Sequence, residues 1–93
     1  MPPLSITRLR GLVRTLRYSV SLHAAEEMED DGISIVDLEN IILTGHIVER
    51  QKDRETNETK IVIRGSTLEG RQAKAVVKVG LAGTLYVITV YLV

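Results

Sequence analysis

Apolar residues recur every three to four positions through the first half of this chain and at nearly every second position through the rest. Ile6, Leu9, Leu12, Val13 and Leu16 mark one side of a helix from about Ser5 to Leu16, and arginines spread over its remaining surface. Pro2-Pro3 keep the residues before it extended. Gly11 weakens this helix by about 1 kcal/mol relative to alanine, so packing has to hold it. Ser21–Gly45 reads as two helices joined by one glycine. Ser21 caps the first, whose inner side carries Leu22, Ala25 and Met28, and Gly32 ends it in the left-handed region that only glycine enters without steric cost. Ser34 then caps the second, and Asp37 three residues on gives a capping-box spacing. Ile35, Leu38, Ile41 and Ile42 follow helical spacing until Thr44-Gly45 stops it.

From His46 the period changes to two. Ile47–Lys52 alternates loosely, Asp53–Thr59 is a polar hairpin loop, and Lys60–Arg64 is a second strand. Gln72–Val79 is a third, with Ala73, Ala75, Val77 and Val79 on one face and Lys74, Val76 and Lys78 on the other. Thr84–Val93 is apolar on both sides, as in a strand at the centre of a sheet or covered on both faces. Arg17–Ser21 also alternates and is a candidate short strand. The pattern predicts one α+β domain over residues 1–93, with two to three N-terminal helices on one face of a four-stranded, mainly antiparallel sheet. Its parts are a basic helix in 1–17, a helix pair in 21–45 and a β-meander in 46–93. Strict alternation places Tyr86 and Tyr91 on opposite faces of the last strand.

Composition narrows the chemistry. Phe and Trp are absent, so the core is built from Ile, Leu, Val, Ala and Met. Without cysteine there are no disulfides and no thiolate metal sites. MPPLSITRLRG holds no long apolar run, so neither a signal peptide nor a membrane association is expected, and a cytoplasmic location is the default. Net charge is zero, yet residues 1–22 carry four arginines and no acid, and residues 23–39 carry seven acids and no base. Two accounts follow from that sorting. Either the basic segment packs beside the acidic one, or one face is basic enough to hold an anionic polymer.

His23, Ala24, Met28, Gly32, Ile33 and Ser34 form a run H-A-x-x-x-M-x-x-x-G-I-S that resembles the signature of the bacterial Domain of Unknown Function 4258 family. Gly45, Ile47, Gly65, Gly70-Arg71 and the terminal Val87-Ile88-Thr89-Val90-Tyr91 agree with it, so the resemblance covers about Tyr18 to Tyr91. It implies a small domain of the RelE/ParE-like toxin superfamily, some of whose members cleave mRNA without a metal or cofactor. The family usually has arginines where this chain has Glu27 and Asp31. On this resemblance the candidate catalytic residues are His23, Arg64, Lys74, Lys78 and Tyr91, and the candidate RNA contacts are Arg64, Arg71, Lys74 and Lys78. Arginine and lysine would stabilise the phosphorane of an in-line attack by the 2′-hydroxyl, and Tyr91 or His23 would move protons. RNA or the ribosome and an antitoxin protein are the partners this implies. The same lysines also read as a solvated face that discourages edge pairing, and His23 as a residue packed beside a helix cap. The competing function is a non-catalytic interaction domain or homodimer, which an exposed, flat last strand would favour.

Overall fold

The computed structural model describes residues 4–93, and the extension expected at Pro2-Pro3 falls outside the described residues. The element order is α1 (Ile6–Arg14), β1 (Tyr18–Val20), α2 (Leu22–Asp31), α3 (Ile35–Thr44), β2 (His46–Lys52), β3 (Thr59–Ser66), β4 (Gln72–Val79) and β5 (Leu85–Leu92).

The caps written in the sequence are those that form. The Ser5 side chain accepts from the Arg8 amide, and the Ser21 side chain from the Ala24 amide. Gly32 ends α2 at φ 65°, and Ser34 and Asp37 make the reciprocal capping box that opens α3. Asp37 also accepts from the Leu68 amide at 2.9 Å, tying α3 to the β3–β4 turn. These backbone donors, those of Ser34 and Leu68 in that order, hold its carboxyl below the usual aspartate range.

The sheet has five strands rather than four, in the order β1-β5-β4-β3-β2. β2 through β5 form the antiparallel meander, but β1 joins β5 in parallel, with Tyr18 opposite Leu85 and Val20 opposite Val87, so the sheet is mixed. A parallel partner cannot come from a hairpin and needs a crossover. Here the crossover runs through α2, α3 and the whole meander. β5, the predicted apolar strand, therefore has a strand on both sides over Leu85–Val87. Beyond β1 its polar groups are met by α2 and its cap: the Ser21 hydroxyl donates to the Ile88 carbonyl at 2.9 Å, and Glu27 accepts from the Val90 amide at 3.1 Å.

The core lies between the helices and one face of the sheet, where Leu9, Met28, Leu38, Ile41, Ile63, Val77 and Val87 are among the buried residues. α3 comes so close to β3 that a Cβ on Gly65 would sit 2.2 Å from the Ile41 carbonyl oxygen. Among the described residues no helix covers the opposite face of the sheet.

The arginine helix does not pair with the acidic one. Among the described residues the ion pairs are His23–Glu27, at an exposed His23, and Lys78–Glu58. The acids that crowd the end of α2 receive their cation from elsewhere in the chain. Arg71 donates to the carbonyls of Asp31 at 2.8 Å and Gly32 at 2.9 Å, where a helix C-terminus favours positive charge.

Candidate nucleic-acid interface

Cross-strand partners share a face of a sheet, so the register fixes what the open face presents. One row runs Tyr91 opposite Lys74, Lys74 opposite Arg64, and Arg64 opposite His46. With strands about 4.8 Å apart, the four residues span about 14 Å across β5, β4, β3 and β2. The next row is Thr89, Val76, Val62 and Glu49. The third brings Ser19, Tyr86 and Lys78 together, beside Lys60 and Gln51.

Two β-bulges decide this composition. In β5 the register shifts between Val76 and Val77, skipping Ile88. One extra residue reverses the side-chain alternation beyond it. Tyr86 therefore joins Tyr91 on the open face, correcting the strict alternation that separates them. In β2 the register shifts between Ile47 and Glu49, skipping Val48, which brings His46 opposite Arg64. An unbulged strand would have placed His46 opposite Gly65, on the core side. Tyr86 has room because its ring lies over Gly80, where a Cβ would fall 2.8 Å from the ring edge.

Among the described residues no ion pair or side-chain hydrogen bond engages Arg64, Lys74, Tyr91 or His46. Arg64 and His46 are exposed, Lys74 is half-buried between its neighbours, and Tyr91 is 37% exposed. Two cations directly opposite each other on adjacent strands repel, and Arg64 and Lys74 are placed so without a carboxylate between them.

The other predicted residues lie elsewhere or are engaged. Lys78 is on the open face, but its ammonium is 2.8 Å from Glu58. Arg71 is turned under the end of α2 and does not border the row. His23 stands on α2 beside the β5 edge, its imidazole 3.4 Å from Glu27. Glu27 in turn accepts from the Thr89 hydroxyl and the Val90 amide, so this acid closes the β5 edge and links His23 to the open face only through Thr89. His46 is the residue that sequence reasoning did not place on this face. Its signal was weak, because its face depends on a bulge that the loosely alternating Ile47–Lys52 does not announce.

No group of three or more His, Asp or Glu side chains is assembled as metal ligands among the described residues. A hollow of about 410 Å³ between the β2–β3 loop and the β4–β5 turn is lined by Leu4, Asn57, Glu58, Val79 and Leu81 among others, and none of the row residues lines it. No described helix is long and apolar enough to cross a membrane.

Residues 20–92 match the family described as "Domain of unknown function (DUF4258)". No curated protein and no solved structure gives a significant match to the chain.

Proposed function

The chain belongs to the DUF4258 family, and from that premise we propose that its open sheet face binds single-stranded RNA and cleaves it in the manner of a RelE-like endoribonuclease. The observation that carries the reading is the cross-strand pair Arg64–Lys74, two unpaired cations flanked in the same row by Tyr91 and His46. A phosphodiester set between them supplies the missing negative charge and relieves their repulsion. Tyr86 and Tyr91 offer rings to bases on the same face, where base stacking contributes about 1–3 kcal/mol per base.

The reaction needs no metal and no redox partner. The ribose 2′-oxygen attacks the adjacent phosphorus and loses its proton, and the 5′-oxygen leaves and gains one. The products are a 2′,3′-cyclic phosphate and a 5′-hydroxyl. Arg64 and Lys74 face the non-bridging oxygens, whose charge grows in the transition state. In this reading Tyr91 and His46, the protonatable groups that flank the pair, move the protons.

The last strand, flanked by β1 over Leu85–Val87 and met by α2 beyond it, is not the flat exposed edge that would favour the interaction reading. The test is incubation of the folded chain with end-labelled single-stranded RNA in chelator. The expected outcome is fragments ending in cyclic phosphate, with cleavage falling at least a hundredfold in Arg64→Ala/Lys74→Ala. A folded wild-type chain that leaves RNA intact and does not retain it would end this proposal.

A further inference from the structure

A second basic feature lies away from the row, at the turn between β4 and β5. Arg8, on α1, and Arg17, between α1 and β1, both bring a guanidinium over Gly83. The Arg17 Nη2 atom is 3.6 Å and the Arg8 Nη2 atom 3.7 Å from the point a Cβ would occupy there. Beyond Gly83 and its chain neighbours, no other heavy atom lies within 4 Å of that point. The two nitrogens are therefore no further apart than the sum of 3.6 and 3.7 Å.

Nothing nearby in sequence neutralises them. Residues 4–22, which hold both arginines, contain no acid, and neither do residues 79–93, which hold the turn. Among the described residues Arg8 makes no side-chain hydrogen bond or ion pair, and the side chain of Arg17 donates only to the Ala82 carbonyl, at 3.4 Å. Both arginines are exposed. Gly83 holds φ at 79°, a conformation that side-chain-bearing residues rarely adopt, and its missing side chain leaves the space between the two forks open.

We propose that Arg8, Arg17 and the Gly83 turn form a phosphate-binding site. Guanidinium nitrogens bond phosphate oxygens at about 2.7–2.9 Å, and a tetrahedral oxoanion presents oxygens in several directions at once. One phosphate group seated over Gly83 can accept from both forks and cancel the repulsion between them. The compact, multiply charged oxoanion fits better than a planar carboxylate, which offers its two oxygens on one side. The site does not depend on the RNA reading of the sheet face. The phosphate it takes is either free inorganic phosphate or the terminal phosphate of a nucleic-acid strand.

The test is titration of the isotopically labelled full chain with inorganic phosphate at fixed ionic strength, following backbone amide resonances. The expected result is a saturable shift of Gly83 and its neighbours, weakened at least tenfold in Arg8→Gln/Arg17→Gln with the remaining spectrum preserved. Arg17→Lys, which keeps the charge and loses the fork, should fall between the two. Parallel titrations with 5′-phosphorylated and 5′-hydroxyl trinucleotides identify the source. A strand-end site prefers the phosphorylated strand, and a free-phosphate site prefers the inorganic ion over both. Absence of a saturable shift at Gly83, or an equal shift in the double variant, overturns the proposal. Phosphate held only by the Arg64–Lys74 row would instead move Ala73 and Ala75, so the two sites fail separately.

Discussion

Single side chains in this protein often work at a distance from the element that carries them. Arg71, which closes a strand turn, neutralises the end of α2. Glu27, on α2, accepts from the Thr89 hydroxyl and the Val90 amide, and so serves the part of β5 that lies beyond β1. Tyr18 makes the most readily tested link, since its hydroxyl donates to Glu39 at 2.5 Å and joins β1 to α3. Burial first, then that hydrogen bond and the carboxylate charge, raise its pKa from 10.0 to about 12. A group raised on folding contributes stability below its unfolded pKa and loses it as pH climbs towards the folded one. Between pH 10 and pH 12 the unfolded chain releases this proton while the folded chain keeps it, so stability should fall there. Tyr18→Phe should flatten that part of the decline in denaturant midpoints measured across the window. Identical declines in both proteins would remove the link. The sequence marked Tyr18 as part of a candidate strand, but its partner lies 21 residues away on α3, a distance no local pattern reports.

At the scale of elements, the capped helices and the β2–β5 meander were legible because local rules specify them: a serine and an aspartate three apart, glycine at a helix end, alternation between turns. Less legible was the contact between α3 and β3. Gly65 sits near the end of β3 on the core face, where glycine ordinarily weakens a strand. Its role appears only when the α3 backbone is seen 2.2 Å from the site of its missing side chain. Gly65→Ala must push α3 away, and should destabilise the protein by about 1–3 kcal/mol, the range for overpacked cores. A urea midpoint that does not change would show that α3 shifts without cost. The bulges at Val48 and Ile88 belong to this scale too. Each changes one residue of register, and each moves a side chain that matters from the core side to the open face.

Over the whole molecule, charge is sorted in space as it is in sequence, but not by mutual pairing. Among the described residues the arginines of the first segment make no ion pair with the acids of α2, which leaves Arg8 and Arg17 as cationic surface at the Gly83 turn, and the Arg64–Lys74 row adds a second on the sheet. Binding of single-stranded RNA by the open face should therefore weaken with salt, each neutralised phosphate adding about 0.7 to the log–log slope. Arg64→Ala and Lys74→Ala should each lower that slope by about 0.7, whereas Arg71→Ala, removed from the face, should leave it unchanged if the chain stays folded. Equal slopes for all three variants would place the RNA elsewhere. The sequence by itself determined where the helices run, their caps, the meander and the basic strand face, because these follow from propensity and periodicity over a few residues, but not the inward side of α2, where Ala24 and Met28 are buried and the expected Leu22 and Ala25 are exposed. Tertiary structure alone decided that β1 adds a parallel fifth strand, that Tyr86 and His46 join the open face, and that Arg71 does not. Those outcomes depend on register and on contacts between distant segments, where one inserted residue reverses a face and nothing in a local pattern marks the insertion.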